Sequence, residues 1–170
     1  MGAGVMKSVA FGLAFLVALA GPAHADDIQN AYMAVNALLQ KDGGGLVPRR
    51  VSCPEGHDNS VEWATSATVV EISETDRAIL VDSGHCNGGN GSGQYLVIVE
   101  GGTARVVTDA EIKDMSFLAS NIYLDGDTLK LYGSRWINAD PHCCPSKKAT
   151  LEYNLKTHRH KFINTGDNKT

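Results

Sequence analysis

The sequence predicts a mainly β fold, an antiparallel meander forming a small barrel-like or sandwich domain, with one N-terminal α-helix. Three observations predict it. Short runs rich in Val, Ile, Leu, Thr and Tyr follow residue 51 with a period near two. Gly101-Gly102 and Asp125-Gly126-Asp127 each fall between two such runs, as hairpin turns require. One segment, 26–41, carries apolar residues at helical spacing. At 170 residues, 43% hydrophobic and 20% charged, the chain is one globular domain rather than a disordered or multi-domain one.

The first 25 residues read as an address. Lys7 supplies a positive start, residues 9–20 are an apolar run, and Ala23-His24-Ala25 is a small-residue cleavage signal. The run is about a dozen residues, short of the roughly 20 that a helix needs to cross a bilayer. A signal peptide cleaved after Ala25 is expected, with the mature chain in the periplasm or secreted. The apolar run does not end in a cysteine, so neither lipid modification nor a stable membrane anchor is expected.

Residues 26–50 are read as a helix and a Gly/Pro linker. Asp26 and Asp27 favour the positive end of the helix dipole, and Ile28, Ala31, Tyr32, Val35, Leu38 and Leu39 form its apolar stripe. Gly43-Gly44-Gly45 stops the helix and Pro48 prevents its resumption. The β domain is expected over 51–166, with strands near 61–72, 77–81, 94–99, 103–108, 120–124, 128–132, 150–155 and 161–164, and a tail at 167–170. Residues 108–115 are the one internal segment that reads as a helical turn.

Charge limits the partners. Removing Lys7 leaves 14 basic residues against 19 acidic, a balance of −5, and nothing resembles the basic field that neutralises nucleic-acid phosphates. The expected partner is a protein or another envelope component, with no nucleic acid and no cofactor.

Four cysteines behind a signal peptide imply two disulfides among three connectivities. The favoured arrangement joins Cys53 and Cys86 each to one member of the adjacent pair Cys143 and Cys144, closing long loops worth roughly 3 to 5 kcal/mol each. The alternative is a Cys143-Cys144 ring, whose strain would make it easily reduced. Histidines lie near the cysteines: His57, His85, His142, and the pair His158 and His160, which would share a face if both lay on one strand. A metal reading would use His85 and His142, yet no ordinary zinc spacing occurs, and a disulfide removes the thiolates that a metal needs.

Catalytic constellations are incomplete. Asp82, Ser83 and His85 have the residue types for acyl transfer, but contiguous triad members seldom reach each other and no G-x-S-x-G elbow is present. Asn87 to Gly93 is glycine-rich without the lysine and helix of a phosphate-binding loop, and reads as a hairpin tip. Asp125 and Asp127 read as a turn before they read as calcium ligands. The candidate binding surface is formed by that tip and the loop 140–146, with Asn87, Asn90, Gln94, Asp140, His142 and Ser146, on the expectation that a disulfide through Cys86 holds the two loops together. Trp63, Tyr95, Tyr123 and Trp136 are candidate aromatic contacts there, or core residues.

Three segments together carry a family resemblance: 78–99 (AILVDSGHCNGGNGSGQYLVIV), 140–146 (DPHCCPS) and 149–155 (ATLEYNL). They resemble the LppP/LprE-type family of exported bacterial β-rich proteins, over roughly 61–155, with D-P-x-C-C-P-S as the specific element. The resemblance implies a small exported β domain in which Cys86 bonds to the Cys143-Cys144 loop, and it carries over no catalytic residue. The functional expectation is a non-enzymatic binding or interaction module, of inhibitor or immunity type. The alternative is a metal-binding or thiol-redox protein using the Cys143-Cys144 loop, and the third reading is a hydrolase using Ser83 and His85.

Overall fold

The computed structural model describes residues 23–56, 60–87, 92–108, 117–140 and 145–164. Residues 1–22, His57, Asn90, His142, Cys143, Cys144, nearly all of the 108–115 segment and the tail lie outside the described residues.

Helix α1 spans Ala23–Gln40. Its stripe packs Ala31 and Val35, both fully buried, against Ile79, Val81, Val97 and Val99. The helix ends where the sequence changes to glycine. Gly43 takes a left-handed φ of 79°, and the Gly44 amide returns to the Leu39 carbonyl at 3.0 Å. What the sequence reading treated as linker then becomes a strand, β1 (Gly45–Val47), its Leu46 amide bonded to the Asn36 side chain of the helix at 3.0 Å.

Eight further strands follow: β2 (Val61–Glu71), β3 (Arg77–His85), β4 (Ser92–Glu100), β5 (Thr103–Val106), β6 (Phe117–Asp125), β7 (Thr128–Arg135), β8 (Lys147–Asn154) and β9 (Arg159–Asn164). They form a five-stranded sheet, β1 to β5 in order, and a four-stranded sheet, β6 to β9 in order. Every pairing is antiparallel except β1 with β2, a departure from a pure meander. The expected hairpins form, and both Gly101 (φ 55°) and Gly102 (φ 81°) take the left-handed conformation that a tight two-residue turn demands.

The domain therefore has three layers: helix, five-stranded sheet, four-stranded sheet. Ala78, Leu80, Leu96 and Ile98 face the second sheet, meeting Phe117, Ile122, Leu129, Leu131, Leu151 and Tyr153. Their alternate neighbours Ile79, Val81, Val97 and Val99 face the helix. Strands covered on both faces have no polar side to show, so β3 and β4 read as continuous apolar runs rather than alternating ones.

Pairing order sorts the connections into two ends. The turns at 72–76, 101–102, 126–127 and 155–158, of two to five residues, lie at one end; the strand ends that flank 48–60, 86–91, 107–116 and 136–146, connections of six to thirteen residues, lie at the other. Gln94, at the start of β4, ties the sheets together near the long-loop end. Its amide nitrogen donates to the Asp82 carboxylate (2.6 Å) and the Ala119 carbonyl (3.0 Å), and its oxygen accepts from the Ala119 amide (2.7 Å). Ala119 sits beside a bulge in an edge strand, where its backbone groups would otherwise need water.

Candidate functional site at the long-loop end

The sulfur framework differs from the sequence expectation. Cys53 is bonded to Cys86, with Cα atoms 5.5 Å apart, and neither is joined to the 143–144 pair, contrary to the favoured connectivity and to the family expectation for Cys86. The reason is tertiary. Cys53 follows a 3₁₀ turn, Arg50–Ser52, and Cys86 follows β3, whose end lies beside the start of β2 through the Cys86 amide and the Val61 carbonyl (2.9 Å). The bond closes the connection before β2 onto the end of β3 and does not hold the 87–93 tip to the 140–146 loop; the strands that flank those two loops meet at the same end of the sandwich.

The first and last residues of D-P-x-C-C-P-S are bonded to each other. The Ser146 hydroxyl donates to the Asp140 carboxylate at 2.5 Å, and the amides of Ser146 and Ile137 donate to it at 2.9 Å each. Asp140 and Ser146 thus close the base of the loop. Gln94, placed on the candidate surface by sequence, lies between the sheets, whereas Asn87 is exposed.

The Ser146 hydroxyl first, then the Ile137 and Ser146 amides, hold the Asp140 carboxyl below the ordinary carboxylate range. Asp76 is lowered too, chiefly by the Ser73 hydroxyl and the Gly101 amide, which pin two turns of the opposite end. A depressed folded-state pKa favours the charged form of the native protein. The stability it contributes is present above the unfolded value of about 3.9 and is lost as pH falls through the folded value. Denaturant melts at pH 7, 4 and 3 should therefore show stability falling below about pH 4, with a shallower fall in Asp140→Asn. An unchanged acid slope in that variant would count against the clasp.

Asp82, Ser83 and His85 do not assemble into a triad. Asp82 lies on the opposite face of β3 from the other two and bonds Ser66 (2.6 Å) and Gln94. Ser83 is 1% exposed and donates a short hydrogen bond to Glu62, whose carboxylate also accepts from the Tyr95 hydroxyl at 2.9 and 3.0 Å. Burial, then the Glu62 charge, pushes the Tyr95 phenol up, so it remains a donor. Gly93 leaves room for this cluster: a Cβ there would stand 2.4 Å from the Ser83 oxygen and 2.6 Å from Glu62. The cluster closes the helix-facing core with donors matched to a buried carboxylate. Glu62, which no motif marked, is its centre.

The remaining candidates are separated. His158 is not on a strand; it sits in the β8–β9 turn with φ 54°, its ring stacked on Tyr153, while His160 on β9 stands edge-on to Phe162. Asp125 and Asp127 each meet a lysine at 2.6 Å, Lys130 and Lys156 respectively. Among the described residues no three His, Cys, Asp or Glu side chains converge as metal ligands, and no helix is long and apolar enough to cross a membrane. Tyr95 is core, Trp63 lies under the Arg50 guanidinium, and Tyr123 stacks on Tyr132 on the outer face of the second sheet.

Trp136 is the aromatic candidate that does reach the long-loop end. With Arg135, Ile137, Asn138, Ala139 and Lys147 it lines an open recess of about 560 Å³. Ile137 is 44% exposed, an apolar side chain presented where the sandwich opens. The sequence reading missed Arg135, Ile137 and Lys147; their only signal was proximity to the 140–146 loop.

No family model, curated protein or solved structure matches the chain, so no relative's activity bears on it.

Proposed function

We propose that this chain is an exported, non-enzymatic binding module that engages a protein partner through its long-loop end. The observation that carries this reading is the segregation of the connections: four short turns at one end, and at the other four long connections, a disulfide, the Asp140 clasp and the Trp136 recess. Loops mounted on a rigid scaffold are where recognition concentrates. Export is supported by the 1–25 segment and by a disulfide, which persists in oxidising compartments. A photo-crosslinking amino acid placed at Ile137 should capture a discrete adduct in the native envelope, and one at Lys156, at the opposite end, should not. Adducts from Lys156 alone, or from neither position, would overturn the reading.

A second reading is favoured by one observation. The Cys53–Cys86 bond leaves Cys143 and Cys144 with only each other, or a sulfur from another molecule, as partners. Such a pair suits thiol–disulfide exchange, in which two electrons and two protons pass to it from a partner dithiol, which becomes the disulfide.

A further inference from the structure

We infer that the recess at the mouth of the sandwich binds an acidic peptide segment bearing an apolar side chain. This deepens the binding reading above and rests on it. Arg135 and Lys147 are directly opposite residues of β7 and β8, so their side chains leave the same face of the sheet. Like charges directly opposite on neighbouring strands destabilise a sheet, and here no carboxylate among the described residues bridges either cation. The chain as a whole is acidic, at −4, so this doublet stands against the overall charge. Asp140, which follows the recess residue Ala139 in the chain, has its oxygens occupied by Ser146 and the Ile137 amide.

The guanidinium of Arg135 is also held in place. It lies 4.0 Å from the centre of the Phe162 ring, which in turn packs edge-on against Phe117. A cation seated on an aromatic face keeps its outward N–H groups in a fixed fork, the geometry that a carboxylate accepts bidentately. Beside it, half-buried Trp136 and exposed Ile137 offer apolar surface in the same recess. Two cations without a described counterion, a fixed fork and an adjoining apolar wall are complementary to a carboxylate placed one or two residues from a large apolar side chain. An acidic peptide segment supplies both. A free phosphate or a nucleic-acid backbone supplies only the charge, and would leave Trp136 and Ile137 unused.

The test uses the purified chain and three labelled probes: an acetylated hexapeptide alternating leucine and glutamate, its leucine–lysine counterpart, and an eight-nucleotide oligothymidylate. Anisotropy should report binding of the glutamate peptide alone. The indole N–H resonance of Trp136, assigned from Trp136→Phe, should shift while that of Trp63 stays. Lys147→Gln and Arg135→Gln should each weaken the peptide about tenfold, and Lys147→Arg should retain it. Because Arg135→Gln also removes a ring contact, Lys147→Gln serves as the variant that leaves the Phe162 packing intact. No binding of the glutamate peptide, equal binding of the lysine peptide or the oligothymidylate, or full affinity in Lys147→Gln would overturn the inference. If crosslinking from Ile137 persisted at full yield in Lys147→Gln, the acidic-segment inference would fall while the long-loop-end reading stood.

Discussion

Replacing Gly133 by alanine is expected to cost about 3 kcal/mol of stability and to lower the melting temperature by roughly 10 °C. Gly133 lies on β7 opposite Ala119, where β6 is bulged. A Cβ at this position would stand 2.0 Å from the Leu118 carbonyl oxygen and 2.8 Å from both the Leu118 carbonyl carbon and the Ala119 Cα. All three are backbone atoms, so no side-chain rotation relieves the clash. β6 cannot slide away cheaply either, because Ala119 is held to the other sheet through Gln94. Gly126→Ala is the informative comparison. Gly126 has φ 58° but nothing within 4 Å of a built Cβ, so its cost is conformational alone, about 1 kcal/mol. Equal losses in the two variants, measured by thermal and denaturant melts, would show that the two strands yield where the packing says they cannot.

Removing the Cys53–Cys86 bond, in a Cys53→Ala/Cys86→Ala double variant, should cost about 4 kcal/mol on the chain-entropy model for a separation of 33 residues. The bond joins the connection before β2 to the end of β3, so the loss should also loosen the start of β2, and with it Glu62. Hydrogen exchange at the residue-86 amide, which bonds the Val61 carbonyl in the intact protein, should report that opening. A nonreducing digest is expected to yield one linked fragment containing Cys53 and Cys86. A fragment joining either to 143–144 would refute the pairing. The same digest after alkylation reads the state of Cys143 and Cys144: two blocked thiols, or a pair reduced by glutathione, would favour the exchange reading, and a closed pair that resists glutathione would favour simple recognition.

Much of the fold was legible because the signals are local. The 26–41 stripe, the glycine stop and the turns Gly101-Gly102 and Asp125-Gly126-Asp127 are each written in a few adjacent residues, and each forms as read. The third layer was legible in part, because the apolar stripe of 26–41 has to pack on the domain that follows it. Continuous apolar runs in β3 and β4 signal strands buried on both faces, and the helix is what covers the second face. The short β1 was not legible at all: three residues in a Gly/Pro-rich stretch form a strand because Asn36 and Ser60 offer bonding partners from elsewhere in the chain.

The candidate site divides in the same way. The D-P-x-C-C-P-S segment stood out by composition, but the reason for its terminal residues did not; Asp140 and Ser146 bond each other across the loop base. Sequence by itself determined the class of the domain, its helix, its hairpins and the presence of a sulfur framework, because those follow from periodicity, turn chemistry and cysteine count. Only the tertiary structure decided which cysteines meet, which carboxylate Ser83 serves, and that Arg135 and Lys147 stand side by side in an open recess. Those are contacts between residues distant in the chain, set by strand register and by which strand ends share an edge of the sandwich, and no spacing along the sequence encodes them.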